Sequence, residues 1–464
     1  MREDLERLYK RLRGKRTVFV GLGVSNSELA GMLAEEGVSV TACDRRSREE
    51  LGAVCEALEE KGARLLIGKD YPDAFEGDVL LRTPGMYYRA PALKAFCDGG
   101  GVVTSEMELF CELCPCPLFA VTGSDGKTTT TTLISELLSA RGQGSGRVHL
   151  GGNIGRALLP VLGEISPEDY AAVELSSFQL MSMRCAPDVS VVTNVTPNHL
   201  DVHRDMAEYI EAKRNILAHQ NAFSATVLGL DDETAAAFAP EVRGRLLGFS
   251  LKRPVSSGAY LGADGILYRA RGGVATPLLN REEIRLPGMH NVANLLAAVA
   301  AVGDLATPET IARVAREFNG VEHRIELARE LDGVKWYNDS IATSPTRAIA
   351  GLSSFRAKII LIAGGYDKNL SFDPLAPALV EKVKLLILTG PTADKIEASL
   401  RRCPCYNGEP SVIRAGDLAG AVAAARSAAR AGDVVSLSPA SASFDCYPNF
   451  EARGRHFKEL VNAL

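Results

Sequence analysis

The stretch Gly123-Ser124-Asp125-Gly126-Lys127-Thr128-Thr129 places a lysine after two glycines, directly behind the apolar run 118–121. Glycines let backbone N–H groups close on phosphate oxygens, the start of a helix adds a favourable dipole, and Lys127 can reach the outer phosphates. Thr128 is placed to give its hydroxyl to Mg²⁺. The general phosphate-loop pattern asks for a further glycine five places before Gly126, where this chain has Val121, so half of the motif is met. The plain alternative is a Gly-rich turn with a coincidental lysine. Asp125 is repelled by a triphosphate and is expected to point away or to face the metal.

Other groups could complete such a site. Glu174 ends the apolar run of "VELSSFQL", and His199 follows the next one in "VTNVTPNHLDVH". A carboxylate and an imidazole at adjacent strand ends are what nucleotide-bound Mg²⁺ needs as outer ligands. Singly, Glu174 reads equally as an ordinary strand-end residue, and His199 reads better as a surface-loop histidine. Lys213 in "EAKRNIL" reads as a solvated helix lysine, and Asn291 and Asn294 as helix caps. Arg324, Asp339, Ser340 and Thr343 are weak when taken alone, although arginine is the preferred partner of phosphate.

These groups must be held at strand mouths. From Thr17 the chain reads as strand, Gly-rich turn, helix and strand ("TVFVGLG", "SNSELAGMLAEEG", "VSVTACD"), the opening of a parallel sheet. "GDVLLRTPG" adds a strand, and the helix "TSEMELFCEL" closes the region near Leu113. The pattern restarts at "CPLFAVTGSDGKT". Buried strands follow at "YAAVELSS" and "DVSVVTNV", and a helix runs from Met206 to His219. "ATVLGLDD" reads as a strand edge, "GAYLGADGILYRA" as a hairpin about an Asp-Gly turn, and "HNVANLLAAVAAVGDL" and "TPETIARVAREFNG" as helices. After Gly320 strands recur at "AKIILIAGG", "VKLLILTG" and "GDVVSLS". The expected class is α/β in three domains: a Rossmann-like N-terminal domain over 1–113, a central P-loop ATPase-like domain with a mostly parallel sheet over 114–320, and a Rossmann-like C-terminal domain over 321–464. Ligands of such folds sit beyond the carboxyl ends of the strands, where every motif here lies.

The 464 residues carry a net charge of −5, with 46% hydrophobic and 23% charged residues, an ordinary globular composition without the clustered basic surface that nucleic acid needs. The N-terminal stretch is charged and lacks an apolar signal core, and no apolar run approaches the roughly 20 residues that span a bilayer. A cytoplasmic monomer without membrane or nucleic-acid partners is expected. Its ten cysteines are expected as reduced thiols. "CELCPC" and "CPC" group Cys111, Cys114 and Cys116, and Cys403 and Cys405, but a zinc site needs four ligands with settled spacing and no nearby histidine completes one.

In order, "GSDGKTT", "GGNIG", "ELSSFQL", "NVTPNHLD", "EAKRNI", "LPGMHNVANLLAA", "EHRIE", "NDSIATSPT", "LIAGGYDK" and "LSPASASFD" resemble the Mur ligases, the ATP-dependent amide-forming enzymes of peptidoglycan precursor synthesis. With "VGLGVSNSELA" the resemblance covers nearly the whole chain. "ELSSFQL", the compact first domain opening on "GLG" and the ending "SPASASFDCYPNFEARGRHF" are similar to the branch that joins D-glutamate to UDP-N-acetylmuramoyl-L-alanine. The chain has no "DNPR"-type stretch of the kind found in the diaminopimelate- or lysine-adding branch.

The resemblance implies ATP and two Mg²⁺ ions. It implies that Gly123, Gly126, Lys127, Thr128 and Thr129, with Ser124 and Asp125 between them, hold the ATP phosphates. Thr128 and Glu174 would share one Mg²⁺, and His199 and Lys213 would serve the second, with Lys213 carbamylated. A carbamate turns that cation into an anionic oxygen ligand. Lys127, Glu174, His199 and Lys213 are the implied catalytic set. Asn294, Arg324 and Asp339 match nucleotide-contacting positions, and Val24, Ser25, Asp44, Arg45 and Asn153 match positions for the UDP-sugar substrate. Thr343, Lys368, Ser443, Phe444 and Phe450 match the lining of the amino-acid pocket. Three residues depart from the family pattern: Ile341 replaces a lysine, Asp125 an asparagine and Phe444 a leucine. Thr130, Thr131 and Thr132 receive no role; their hydroxyls can bond back to nearby carbonyls.

The implied reaction starts with attack of the L-alanyl carboxylate on the γ-phosphate of ATP, and the amine of D-glutamate then displaces phosphate. Closure of the third domain is expected before chemistry. Three other readings compete. "GLGVSN" with Asp44 about 20 residues on suggests a nucleotide-dependent dehydrogenase, but the third glycine of that fingerprint is Asn26. A P-loop binding module has no use for Glu174, His199 and Lys213. A folylpolyglutamate synthetase-like ligase shares the ATP half and differs in the ligand of the first domain.

Overall fold

The computed structural model describes residues 3–142, 144, 146–184, 186–199, 202–368 and 370–464. Its first sheet holds β1 (Arg16–Val20), β2 (Ser39–Asp44), β3 (Arg64–Ile67), β4 (Val79–Arg82) and β5 (Val102–Thr104), ordered β3-β2-β1-β4-β5 with every pair parallel. Val18, Val20 and Leu80 pack on one face and Phe19, Val40 and Leu81 on the other. Strands covered on both faces read as near-continuous apolar runs, which is why these segments were legible. Strand order reverses between β1 and β4, so the turns after these two strands flank the crevice where such sheets take ligands.

Among the described residues the second sheet holds β6 (Leu118–Thr122), β7 (Val148–Gly152), β8 (Tyr170–Glu174), β9 (Val189–Val192), β10 (Ala225–Gly229), β11 (Arg245–Ser250), β12 (Gly258–Leu261), β13 (Ile266–Arg271) and β14 (Val274–Asn280). Their order is β14-β13-β12-β11-β10-β9-β6-β8-β7. The pairs from β7 to β12 are parallel, and β12, β13 and β14 form an antiparallel meander that includes the expected Asp264-Gly265 turn. The segment expected as a strand edge is β10, which lies inside the sheet between β9 and β11 with all five residues buried. Polar residues just past its end made it look like an edge.

The third sheet holds β15 (Glu326–Leu331), β16 (Val334–Asn338), β17 (Ile359–Gly364), β18 (Val383–Thr389), β19 (Ser411–Arg414) and β20 (Val434–Leu437), ordered β15-β16-β20-β17-β18-β19. Among the described residues only the β15–β16 pair of this sheet is antiparallel. Tyr337, Leu361 and Leu386 pack on one face, and Trp336, Ile360 and Ile387 on the other.

The chain is therefore α/β with three parallel-rich sheets. By compactness it forms two units, Met1–Glu283 with Val292–Val314, and Ile284–Asn291 with Ala315–Leu464. The first two sheets share a unit because one apolar cluster runs through both, from Phe19 and Leu29 through Phe110 and Leu113 to Leu118 and Leu159. Each such side chain contributes roughly 1.5–3 kcal/mol on full burial. That shared core resists separation of the two regions. No helix among the described residues is long and apolar enough to cross a membrane.

Candidate active site

Strand β6 sits where the order of the second sheet reverses, between β8 and β9. Register levels the three strand mouths: Val121 pairs with Glu174, and Thr122 with Val192. The loop after β6 turns through Gly123 (φ 151°) and Gly126 (φ 78°), conformations that side chains disfavour. A Cβ on Gly123 would collide with Thr193 Oγ1, and one on Gly126 with Asn294 Oδ1. The helix Lys127–Ser139 begins at once, and its first N–H groups, which lack intrahelical acceptors, offer an anion site. Asp125 is exposed; its N–H donates to Asn194 Oδ1 at 2.9 Å and its carbonyl accepts from Thr193 Oγ1 at 2.7 Å. Ser124 Oγ donates to Thr196 O at 2.8 Å. Neighbouring side chains thus fix the loop and leave Asp125 at the surface.

Thr128 Oγ1 donates to Glu174 Oε2 at 2.6 Å, and Asn153 Nδ2 donates to Glu174 Oε1 at 2.9 Å. Glu174 is only 2% exposed. A hydroxyl and a carboxylate at this spacing fit a hard cation such as Mg²⁺, which takes oxygen ligands. Lys127 Nζ donates to Ser124 O at 2.9 Å, and Thr129 is buried in the first turn of the helix.

Lys213 is not the solvated lysine that its sequence context predicts. It is 1% exposed, its Nζ donates to Gly123 O at 2.6 Å, and it lies 4.6 Å from the centre of the Tyr209 ring. Tyr209, Lys213 and Leu217 fall at i, i+4 and i+8 of the helix Met206–Ala218, so the lysine shares the apolar face that packs into the core. Burial, then the charge of Lys127, pushes its pKa down to about 6, against the opposing pull of Glu174 and Asp125. Burial therefore favours the uncharged amine, which is the nucleophilic form.

His199 follows β9 as expected, exposed and at φ 55°, its ring edge-on to Phe178 at 5.2 Å. Phe178 also stacks on the buried His203 at 5.1 Å, and His203 Nε2 lies 2.9 Å from Ser177 Oγ. Burial lowers the pKa of His203. Thr131 and Thr132 donate to carbonyls four residues back, each at 2.8 Å. Thr130 departs from that expectation and donates to Asn294 Oδ1 at 3.4 Å. This bond brings Asn294 to the phosphate-loop helix.

A cavity of about 270 Å³ in the same unit is lined by Ser25, Asn26, Arg82, Glu106, Asn153 and Gln179 among others. Asn26, where a dinucleotide fingerprint has glycine, closes its own turn by donating to Gly21 O at 2.9 Å. The Asp44 carboxylate is buried and shapes that turn, accepting from Leu22 N–H at 2.7 Å and from Arg46 Nη2 at 2.8 Å. Arg45 lies over the Tyr71 ring at 5.4 Å. Val24 opens the helix Val24–Glu35, and its side chain is outside the described residues.

Two lining residues escaped the sequence reading. Arg82 is 2% exposed; its Nη2 donates to Phe178 O at 2.6 Å and Ser182 Oγ at 2.7 Å, and its Nη1 to Met86 O at 3.1 Å. These acceptors are all neutral, and burial lowers its pKa. The charge of Glu108 opposes that lowering. Glu106 accepts from Leu158 N–H at 3.2 Å and Leu159 N–H at 2.9 Å, and burial raises its pKa.

In the second unit Asp339 follows β16 and accepts from Ser438 Oγ at 2.7 Å and Ile325 N–H at 3.3 Å. Burial raises its pKa to about 7, against the Ser438 hydroxyl and the charge of Arg324. Arg453, in the helix Phe450–Asn462, is a hub that the sequence did not reveal. Its Nε donates to Ser340 Oγ at 3.0 Å, Nη2 to Ser340 O at 2.9 Å, and Nη1 to Ser441 O at 3.1 Å and Ala442 O at 2.9 Å. Burial lowers its pKa to about 10. Ser340 Oγ donates in turn to Phe450 O at 2.8 Å, and Tyr366 N–H donates to Ala442 O at 3.0 Å. The segments carrying Thr343, Lys368, Ser443, Phe444 and Phe450 are joined in this way. Ser443 is buried, Thr343 half-buried and Lys368 exposed. Phe444 stands 61% exposed, edge-on to Tyr366 at 5.9 Å. Nothing in the structure accounts for Ile341.

A UDP-N-acetylmuramoylalanine–D-glutamate ligase of Acetivibrio thermocellus is 48% identical over 468 residues, with 100% of each chain covered. The chain belongs to the Mur ligase family. The model of the Mur ligase middle domain matches residues 121–302, and that of the Mur ligase glutamate ligase domain matches 323–441. A second UDP-N-acetylmuramoylalanine–D-glutamate ligase, from Symbiobacterium thermophilum, is 50% identical over 454 residues, covering 97% of this chain and 98% of its own. The fold is shared with the solved UDP-N-acetylmuramate-alanine ligase of Thermotoga maritima, at a TM-score of 0.59 and 19% identity over 97% of this chain and 99% of that one. It is also shared with UDP-N-acetylmuramoylalanyl-D-glutamyl-2,6-diaminopimelate–D-alanyl-D-alanyl ligase of Acinetobacter baumannii, at 0.58 and 13% over 96% and 93%.

The candidate residues of this Mur ligase divide between the units. The phosphate loop, Asn153, Glu174, Lys213 and Asn294 meet in the first, and Arg324, Asp339 and the amino-acid candidates lie in the second. Arg82 had one available signal, a charge ending the apolar strand "VLLR". Arg453 had none, because its partners lie 11 to 113 positions away.

Proposed function

We propose that this Mur ligase joins D-glutamate to UDP-N-acetylmuramoyl-L-alanine with ATP as the activating substrate, through an acyl phosphate. The observation that carries the site assignment is the Thr128–Glu174–Asn153 relay. One buried carboxylate touches the phosphate-loop helix on one side and a cavity-lining amide on the other. Activation needs the nucleotide and the substrate carboxylate to meet at such a point.

Residues 1–113 hold the UDP-sugar, 114–320 the ATP and 321–464 the amino acid. Thr128 and Glu174 would hold one Mg²⁺, and His199 with carbamylated Lys213 a second; bound there, the ions neutralise phosphate charge. The depressed Lys213 pKa supports the carbamate, because only an uncharged amine adds to CO₂. Lys127 and the helix N-terminus draw charge from the migrating phosphoryl group as the L-alanyl carboxylate attacks phosphorus and ADP leaves. The D-glutamate amine then attacks the activated carbonyl, and phosphate departs from the tetrahedral intermediate, with His199 facing the developing oxyanion. Lys368 and the Thr343 and Ser443 hydroxyls bind the two carboxylates of D-glutamate. ATP and the UDP-linked substrate are cytoplasmic compounds, so we place the enzyme there, acting as a monomer.

Phosphate release from ATP, measured with UDP-N-acetylmuramoyl-L-alanine and with D-glutamate, L-alanine, L-lysine or meso-diaminopimelate in turn, tests this reading. Release with D-glutamate alone is expected. Silence with D-glutamate would sink the assignment, and release with L-lysine or diaminopimelate would move it within the family.

A further inference from the structure

Two Cys-Pro-Cys segments, 114–116 and 403–405, serve no step of the reaction. Each directly follows a helix. Cys114 caps the helix Glu106–Leu113 at φ −59°, ψ 120°, and Cys403 caps Ala393–Arg402 at φ −65°, ψ 124°. They diverge after the proline. At 403–406 a β-turn closes, with Tyr406 N–H donating to Cys403 O at 3.0 Å and Pro404 at the turn position that its fixed φ favours. The turn folds the side chains of Cys403 and Cys405 onto one side, with their Sγ atoms 2.8 Å apart. Cys405 is exposed and Cys403 half-buried. The 114–116 segment instead runs on toward β6, its sulfurs 3.5 Å apart, with Cys116 5% exposed. Sequence makes the segments alike; the turn and exposure separate them.

We propose that Cys403 and Cys405 form a reversible dithiol–disulfide site that exchanges with low-molecular-weight disulfides. One cysteine thiolate attacks a small disulfide RSSR, its S–S bond breaks, and RS⁻ leaves and takes a proton. The neighbouring cysteine, as its thiolate, then attacks the protein sulfur of the mixed disulfide and expels the second RS⁻. Overall the two protein thiols give up two protons and two electrons, and RSSR becomes two RSH. The second step is intramolecular and gains from the proximity the turn enforces. A disulfide ring spanning one residue is tight, and tight, exposed disulfides are readily reduced again. Metal binding is the weaker use of the pair: two thiols are half of a structural zinc set, and among the described residues no group of three or more His, Cys, Asp or Glu could hold a metal ion.

The test treats the full chain with excess 2-hydroxyethyl disulfide, followed by alkylation of free thiols and peptide mass mapping. The expected peptide spanning 403–405 has lost two hydrogens, carries no adduct, and regains both thiols in dithiothreitol. The Cys403→Ser and Cys405→Ser variants are each expected to stop at a stable mixed disulfide on the remaining cysteine. Two alkylatable thiols at 403 and 405 after treatment, or a stable hydroxyethyl adduct on either in the parent, would overturn the proposal.

Discussion

At the mouths of β6, β8 and β9, Glu174 and Lys213 are almost wholly buried, one set by strand register and the other by a helix packed on the core. In the second unit Lys368 and Phe444 stand exposed on loops that are joined by Tyr366 N–H donating to Ala442 O, while the Arg453 guanidinium ties the Phe444 loop to Ser340. The contrast separates two jobs. Groups that meet developing charge need fixed positions, which a sheet supplies at little entropic cost. The residues we propose to select the amino acid sit on loops, which can change without disturbing the sheet. The three departures from the family pattern, Asp125, Ile341 and Phe444, all lie outside strands.

Breaking the sheet-held set should cost the most. Lys127→Ala is expected to lower phosphate release about 10³-fold or more, as loss of a transition-state cation does; steady-state assays with all three substrates check it. Lys213→Ala is expected to lose about 10²- to 10³-fold and to recover in part with added acetate or formate, and full activity without rescue would refute the carbamate.

The same lysine gives a pH signature. Its folded pKa is about 6 against an ordinary 10.5, so between those values the unfolded chain binds a proton that the folded chain does not. In CO₂-free buffer, melting curves should show the parent losing stability relative to Lys213→Met as pH falls from about 10 to about 6, with no further divergence below. A pH-independent difference would mean the buried amine is charged.

Loosening the loop-held set should act on one substrate. Arg453→Met leaves the Ser340, Ser441 and Ala442 carbonyls without their shared donor. The KM for D-glutamate is expected to rise about tenfold or more, since charged hydrogen bonds contribute roughly 1.5–3 kcal/mol each. The KM for UDP-N-acetylmuramoyl-L-alanine should stay within about twofold, because the cavity lies in the other unit. The smallest effect is expected from Thr132→Ala, whose hydroxyl only bonds back within its helix; kcat should change by less than about twofold.

The sequence was most legible where local pattern and tertiary role coincide. Apolar strand, glycines and helix start identify the phosphate loop, and the end of the strand before His199 is marked by its polar run. It was least legible where a polar residue is buried by distant partners. Lys213 sits in a charged heptapeptide yet faces the core, and Arg82 and Arg453 answer to carbonyls up to 113 positions away. Thr130 had the wrong partner in prospect because Asn294 lies 164 residues on. Periodicity reports which face is apolar, not which polar group that face will accept.

The central claim is that the sheet-held set activates the carboxylate and the loop-held set captures the amino acid. Hydroxylamine trapping of the acyl phosphate, measured beside amide formation in Lys368→Met and Lys213→Ala enzymes, tests it directly. Lys368→Met should keep hydroxamate formation within about threefold of the parent while amide formation falls about 10²-fold, and Lys213→Ala should lose both together. Loss of hydroxamate formation in Lys368→Met, in step with the amide, would contradict the division.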